Sequence, residues 1–223
     1  MSLTFYYHPL SQPSRAVLTV LHLLDIEHDK KVVDLFKGEH KSPEFLEINP
    51  FGLIPAIDDG GFTLWESEAI MKYLVNSTKG GDLYYPIDPK IRARIDKYFP
   101  WCHTVFRPAL SKLFLASYPI FPQFNFDIEA SKKGLEVVLK TFEEVFLKDQ
   151  KYIAGDIPTI ADFSAVNEIT QTYLTTDFDY AKFPRVKEYV ERCLQNPVLF
   201  ELNQPLKAFP ELAIKLLSKP KEE

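Results

Sequence analysis

The feature that most constrains the fold is a change of pattern about a third of the way along the chain. Up to residue 79, strand-like and helix-like segments alternate, whereas only helix-like patterns follow the stretch "GGDLYYPIDP" (80–89). The prolines and glycines of this stretch are typical of a linker because they extend neither neighbouring element. The sequence therefore predicts a small domain of mixed α and β structure over 1–79 and an all-helical domain over 90–223.

The first domain is predicted to follow the order β-α-β-α-β-β-α. Strand-like runs lie at 3–7 and 28–35, and "LIPAIDDGGFTLW" carries an Asp-Gly-Gly turn that indicates a hairpin. Apolar residues at helical spacing predict helices over 14–25, from Pro43 onward, and over "ESEAIMKYLVNS" (66–77).

The second domain is predicted to contain helices at 89–117, 127–148, 161–174, 185–195 and 210–218. Pro100 and Pro108 interrupt the first of these patterns. The segment "PTIAD" fits a capping box, with Thr159 as the cap and Asp162 three residues later. We interpret this pair as purely structural, opening a central buried helix.

Composition and charge narrow the class of partner. The 223 residues include 26 Lys and Arg against 31 Asp and Glu, with a formal net charge of -5. The chain lacks the basic stripe that nucleic-acid binding needs. Its longest apolar run, "AVLTVLHLL", is too short to span a bilayer. Without a visible signal peptide or lipidation tag, a cytoplasmic protein with neither nucleic acid nor membrane as partner is expected.

The cysteines and histidines lack the spacing of metal ligands, so no metal site is predicted. Cys102 and Cys193 lie far apart within helical patterns, which is typical of inert buried thiols in a reducing compartment. The chain has no GxSxG, GxGxxG or P-loop pattern, so a serine hydrolase elbow and nucleotide cofactors have no support.

Three local features carry candidate chemistry. The turn "HPLSQPSR" (8–15) sets polar residues, Ser11 among them, between the first strand and an apolar helix. Pro55 either opens a strand after a cis peptide bond or belongs to an edge strand. Glu66 and Ser67 open a helix, where backbone N–H groups favour an anion, although the same pair also fits a plain helix cap.

In these features the chain resembles the cytosolic glutathione transferases, and among them most closely the theta class. The pieces that carry the resemblance are "LSQPSRAV" (10–17), "VVDLFKGEHKSPEF" (32–45), "INPFGLIPAI" (48–57), "FTLWESEAI" (62–70), "RARIDKYFPWCHT" (92–104) and "YIAGDIPTIADF" (152–163). The resemblance implies an α+β fold, with a thioredoxin-like N-terminal domain and an all-α C-terminal domain. It also implies glutathione as co-substrate, small hydrophobic electrophiles as second substrates, and a homodimer.

The resemblance implies a place for the sulfur and the cysteinyl part of glutathione. The Ser11 hydroxyl would donate a hydrogen bond to the sulfur, and Gln12 and Arg15 beside it would shape its electrostatics. Ile54, before the presumed cis-Pro55, would pair its main chain with the cysteinyl residue.

The two ends of the tripeptide are assigned in the same way. Glu66 and Ser67 would hold the ammonium and carboxylate of the γ-glutamyl residue. His40 and Lys41, in the "GEHKS" loop, would face the glycyl carboxylate.

A tyrosine competes with Ser11 for the sulfur, because other classes of this family use one at the end of the first strand. In those classes an arginine follows the tyrosine by six residues, whereas the residue six positions after Tyr7 is Pro13. Ser11 precedes Arg15 by four, as in the serine-type classes, so Ser11 is favoured over Tyr7 and its neighbour Tyr6.

The sequence carries fewer signals for the residues that bind the second substrate. Arg107 matches a theta-class position near the sulfur site, where it would favour leaving groups that depart as anions. Phe114 lies seven residues later and would line an apolar pocket, although both residues also fit ordinary surface or core positions. The chain finishes at Glu223, sooner than theta members usually do, so a more open pocket is expected.

Two functions of different classes are compatible with these residues. The first is an enzyme that conjugates glutathione to electrophiles or reduces organic hydroperoxides with it. The second is a non-catalytic module of the same fold that binds protein partners, as in the elongation-factor gamma subunits. The complete set of glutathione-compatible residues favours the enzyme. The linker residues Tyr84 and Tyr85 are placed near a dimer interface.

Overall fold

The structure, a computed structural model, describes residues 2–118, 125–175 and 178–210. Its strands and α-helices are β1 (Leu3–Tyr7), α1 (Gln12–Leu23), β2 (His28–Val32), α2 (Pro43–Ile48), β3 (Ala56–Asp59), β4 (Phe62–Trp65), α3 (Ser67–Ser77), α4 (Pro89–Trp101), α5 (Arg107–Ser117), α6 (Ile128–Val145), α7 (Ile160–Ile169), α8 (Pro184–Cys193) and α9 (Pro197–Asn203). The predicted order β-α-β-α-β-β-α is confirmed. The predicted helix at 210–218 lies, but for its first residue, outside the described part of the chain.

The four strands form one mixed sheet in the order β2-β1-β3-β4. β1 is parallel to β2 and antiparallel to β3, and β3 pairs with β4 through the predicted hairpin. Tyr6 faces Ala56, and Ala56 faces Trp65. The turn after β1, the Ile54–Pro55 peptide and Glu66 therefore all lie at the same end of the sheet.

α1 begins two residues before the predicted position. Ser11 has an extended backbone, with φ -78° and ψ 115°, and its Oγ accepts a hydrogen bond from the Ser14 backbone N–H at 3.3 Å. Ser11 is thus the N-cap, and Pro13 lies in the first turn, where its missing N–H costs nothing. The apolar periodicity located the buried face of α1 but not its first turn, which is polar.

The long helical pattern at 89–117 is divided in two. α4 continues through Pro100, a π-helical segment spans Cys102–Phe106, and α5 then starts at Arg107. A proline removes one backbone hydrogen-bond donor from a helix. π-helical turns within α-helices are frequent at functional sites. The division places Arg107 on the side of α5 that faces the first domain.

The two tyrosines of the linker, Tyr84 and Tyr85, contact the helical domain. The Tyr84 ring packs edge-on against Phe163, with centroids 5.1 Å apart, and the Tyr85 hydroxyl donates to Asp96 at 3.1 Å. The Tyr85 side chain is buried within the chain, and the position of the linker tyrosines near a dimer interface stays a prediction.

α9 was missed by the sequence patterns, although its start carries ordinary signals. The Asn196 side chain accepts from the backbone N–H groups of Val198 and Leu199, and Pro197 occupies the first helical position. The helix is too short for apolar periodicity to reveal it.

The predicted capping box at the start of α7 is confirmed, and all of it is buried. Asp162 Oδ2 accepts from the Thr159 backbone N–H at 2.8 Å and from its hydroxyl at 2.9 Å. Asp162 Oδ1 accepts from the Ile153 N–H at 2.9 Å and from the Tyr189 hydroxyl at 3.0 Å. This box anchors the central helix, against which α1 of the first domain packs.

Within the described residues, no helix is both long and apolar enough to cross a membrane. The two cysteines are free and buried, as predicted. Burial raises the pKa of the Cys102 thiol to about 12, so this thiol remains protonated and unreactive at neutral pH.

Candidate functional site

A cleft of about 450 Å³ lies between the two domains. One wall comes from the turn after β1 and from two loops of the first domain, and the other from α5 and the residue Gln171 beyond α7. The cleft brings together six of the residues predicted for the site: Ser11, Gln12, His40, Ile54, Arg107 and Phe114. The other five, which do not line it, are Arg15, Lys41, Pro55, Glu66 and Ser67.

Ser11 lines the cleft, and among the described residues its O–H has no acceptor. A serine hydroxyl has one O–H donor and two acceptor lone pairs. As the N-cap of α1, Ser11 uses a lone pair to accept from Ser14, so its O–H is not consumed by the cap. The hydroxyl also lies at the positive end of a 12-residue helix, which favours a nearby anion.

The competing tyrosines face elsewhere. The Tyr7 ring stacks on Phe5 with centroids 5.2 Å apart, and Tyr6 packs edge-on against Phe45 at 5.9 Å. Neither tyrosine lines the cleft. The position of Tyr7 is that of an aromatic residue packed on the core.

The Ile54–Pro55 peptide bond is cis, which is one of the two alternatives that the sequence left open and the one that the resemblance implied. Ile54 lines the cleft, whereas Pro55 lies directly before β3. Because β3 and β4 are antiparallel, this peptide lies opposite the start of α3, where Glu66 and Ser67 are located.

Glu66 has an unusual backbone at the start of α3. Its φ is 69° and its ψ 111°, a left-handed conformation that costs a non-glycine residue about 1–3 kcal/mol. Its exposed side chain makes no cap hydrogen bond, while Ser67 is only 6% exposed. Backbone strain of this kind is concentrated at active sites and ligand-binding sites, so this conformation is an observation that supports a binding role for Glu66.

The loop that carries His40 and Lys41 is held against a second loop at Gly52. Gly52 has φ 60°, and a Cβ added there would lie 2.5 Å from the His40 carbonyl oxygen. Lys41 Nζ donates to the Phe51 carbonyl at 3.0 Å, outside the cleft. Burial first, and then the Lys41 charge, lower the pKa of His40, so His40 faces the cleft as a neutral ring.

Arg107 is held on the helical wall by a buried carboxylate. Its Nε donates to Glu168 Oε1 at 2.7 Å, and its Nη1 lies 3.1 Å from His103 Nδ1. Glu168 is 1% exposed. Burial alone would lower the pKa of the Arg107 guanidinium. The Glu168 charge outweighs this effect and raises the pKa above its usual value, so the guanidinium is permanently charged.

Arg15 points away from the cleft into the contact between the domains, where it is 2% exposed. Its guanidinium donates to five neutral oxygens, namely Pro9 O at 3.2 Å, Asn167 O at 2.9 Å, Asn167 Oδ1 at 3.3 Å, Asn203 Oδ1 at 3.2 Å and Gln171 Oε1 at 3.1 Å. Burial lowers the pKa of Arg15 to about 9, and Glu168 opposes this effect. Arg15 therefore stays charged at neutral pH and joins the Ser11 turn to α7 and α9.

Sequence reasoning missed several residues of the cleft: His8, Leu10, Pro13, Leu35, Phe36, Gly52, Leu53, Ser111, Leu115 and Gln171. For Gln171 a signal was present. The central helical pattern is apolar on most sides, yet it contains Asn167, Glu168 and Gln171, and buried polar side chains need partners.

Both halves of the chain match known protein families. Residues 1–76 match the glutathione S-transferase N-terminal domain, and residues 108–197 match the glutathione S-transferase C-terminal domain. The chain belongs to the glutathione S-transferase family. The predicted membership and the α+β fold class, a thioredoxin-like domain followed by a helical one, are therefore confirmed.

The relatives make this transferase theta-like. It is 37% identical to human glutathione S-transferase theta-1 over 174 residues, which are 76% of this chain and 72% of the relative. Its structure is similar to that of human glutathione transferase theta-2 in complex with glutathione, with TM-score 0.87, 30% identity, and 98% and 93% of the two chains covered. An epsilon-class glutathione S-transferase of the housefly, Musca domestica, gives TM-score 0.85 at 31% identity, with 96% and 98% covered.

Proposed function

We propose that this transferase conjugates reduced glutathione to small electrophiles, with the Ser11 hydroxyl stabilising the thiolate. The observation that carries the proposal is the unused O–H of Ser11 in the cleft, at the N-terminus of α1. A free thiol has a pKa of about 8.5, so only a few per cent is the reactive thiolate at neutral pH. A hydrogen bond to a charged group contributes about 1.5–3 kcal/mol, which corresponds to a pKa lowered by about one to two units.

The remaining contacts of glutathione are proposed along the end of the sheet. The Ile54 main chain pairs with the cysteinyl residue, and the neighbouring Glu66 and Ser67 hold the γ-glutamyl group. The strained Glu66 backbone supports a binding role for this residue. The register of the β3–β4 hairpin places Glu66 near the Ile54–Pro55 peptide, which supports a glutathione that runs from Ile54 towards Glu66. At the other end, His40 and Lys41 face the glycyl carboxylate, and Gln12 lies beside Ser11.

The second substrate is proposed to lie against the helical wall. Arg107 is a fixed positive charge in the cleft, so it favours electrophiles whose leaving group departs as an anion, such as a halide or sulfate. Phe114 supplies an apolar surface beside it. The same thiolate would serve the reduction of organic hydroperoxides. A cytoplasmic homodimer remains the expectation for the assembly.

The experiment compares Ser11→Ala with Ser14→Ala on alkyl halides, epoxides, aryl halides and cumene hydroperoxide. Ser14 is buried, and its hydroxyl has no partner among the described residues. Ser11→Ala is expected to lower kcat/KM about 10- to 100-fold with every substrate used, while Ser14→Ala stays near the unaltered protein. Full activity in Ser11→Ala contradicts the proposal, and a chain without turnover on the whole panel is the non-catalytic module.

A further inference from the structure

The hydrogen bond from Arg15 fixes the orientation of the Gln171 side-chain amide. Arg15 Nη2 lies 3.1 Å from the Gln171 side chain, and a guanidinium only donates hydrogen bonds. The atom that faces Arg15 must therefore be the amide oxygen, and the NH2 group must point another way. Gln171 also lines the cleft, and its NH2 group is the hydrogen-bonding part of the side chain that Arg15 leaves free.

The polar side chains beside it that the structure describes use their donors elsewhere, and the amide nitrogens of Asn167 and Asn203 each make two hydrogen bonds. The Asn203 amide nitrogen donates to Asn167 Oδ1 at 3.1 Å, and the Asn167 amide nitrogen donates to the Phe163 carbonyl at 2.7 Å. Thr170 donates to Asn203 Oδ1 at 2.6 Å. Among the described residues, the Gln171 amide nitrogen has no hydrogen-bond partner.

The other hydrogen bonds of Arg15 keep its guanidinium in place beside Gln171. Its other contacts bind the Pro9 carbonyl, both oxygens of Asn167, and Asn203. A side chain that is 2% exposed and held at all three guanidinium nitrogens cannot swing away from Gln171 without leaving several buried acceptors unpaired.

We propose that Gln171 is a second hydrogen-bond donor to the departing group of the electrophile, and that Arg15 is a positioning residue that acts through it. This inference rests on the proposed function, because it assigns a contact within the same cleft. Arg107 and Gln171 then form a pair of donors on the helical wall, each oriented by a buried partner, Glu168 for the first and Arg15 for the second.

The step at which this pair acts is the displacement itself. The thiolate sulfur attacks the electrophilic carbon, a carbon–sulfur bond forms, and the bond between carbon and leaving group breaks. The leaving group takes that bonding pair and departs as an anion, so negative charge moves from the Ser11 side of the cleft to the helical wall. Donors fixed in place for a charge that develops only during reaction raise kcat more than they lower KM.

The test uses Gln171→Glu and Gln171→Met in the whole chain, with a series of alkyl iodide, bromide and chloride substrates of one carbon skeleton. Gln171→Glu keeps an oxygen for Arg15 but removes the donor, and Gln171→Met removes the donor without adding charge. Gln195→Glu, an exposed glutamine outside the cleft, is the matched control.

Both Gln171 variants are expected to lose about 10-fold in kcat for the chloride, with a smaller loss for the iodide, whose more diffuse charge accepts weaker hydrogen bonds. Gln171→Met should leave the KM for glutathione and the pKa of its bound thiol unchanged. Equal losses across the halides, or full activity in either variant, overturn the inference. A failure of the proposed function is distinguishable, because the bound thiol would then show no lowered pKa in the unaltered protein.

Discussion

Two helix N-termini in this transferase use the same kind of cap in opposite ways. At the start of α7, Thr159 and Asp162 are fully buried, and the carboxylate accepts four hydrogen bonds. At the start of α1, Ser11 is partly exposed, and its oxygen accepts one hydrogen bond of 3.3 Å. The first cap is saturated, whereas the O–H of the second has no acceptor among the described residues and belongs to a residue that lines the cleft.

The difference separates a cap that stabilises its helix from one that we propose also binds a ligand. A cap whose donors and acceptors are all used can only stabilise its helix, and a cap with an unused O–H beside a cavity can also bind a ligand. Altering the α7 cap should therefore change stability, and altering the α1 cap should change chemistry.

The largest expected effect is on stability, at Asp162. Asp162→Ala removes the buried acceptor of the Ile153 N–H and of the N–H and hydroxyl of Thr159, so the free energy of unfolding at pH 7 should fall by about 2–4 kcal/mol. Denaturant unfolding measures this loss, with the exposed Asp156→Ala as control. A loss no larger than that of the control would mean that the box is not the anchor of α7.

The pH dependence of that loss is the next effect. Burial raises the folded-state pKa of Asp162 to about 6, above the value of about 3.9 in an unfolded chain. Between these values the unfolded state ionises while the folded state stays protonated, so the contribution of Asp162 falls by about 2–3 kcal/mol as pH rises from 4 to 6. Unfolding curves of the unaltered protein and Asp162→Ala should therefore differ most near pH 4. If the stability difference between the unaltered protein and Asp162→Ala grows with rising pH, the raised folded-state pKa of Asp162 is contradicted.

The smallest expected effects on stability are at the α1 cap. Ser11→Ala should lower the free energy of unfolding by only about 0.5–1 kcal/mol, because its single contact is long. Ser14→Ala, which removes a buried hydroxyl without a partner among the described residues, should be neutral within about 0.5 kcal/mol. If Ser11→Ala unfolds the protein as readily as Asp162→Ala, the distinction between the two caps fails.

Four residues of the first-domain wall and two of the helical wall were predicted, and the two walls differ in the range of the contacts that position their residues. Ser11, His40 and Ile54 belong to short turns whose geometry depends on nearby residues, such as the contact between Ser11 and Ser14. Turn and cap patterns are local, so a linear pattern indicates the turn and the cap, whereas the roles of these residues toward glutathione are implied by the family resemblance.

The helical wall depends on side chains that are distant in the chain. Glu168 orients Arg107 across 61 positions, and Arg15 orients Gln171 across 156. No periodicity or spacing encodes such a pairing. The family resemblance placed Arg15 beside Ser11, where its backbone lies, but did not indicate that its side chain enters the domain contact. The presence of polar residues in the central helix could be read from the sequence, but their partners could not.

The most direct test of the account is an ultraviolet titration of the thiolate of glutathione bound to the unaltered protein, Ser11→Ala and Ser14→Ala. We expect a bound thiol pKa about one to two units below that of free glutathione in the unaltered protein and in Ser14→Ala, and a return towards the free value in Ser11→Ala. A lowered pKa that persists in Ser11→Ala would contradict the role of this hydroxyl.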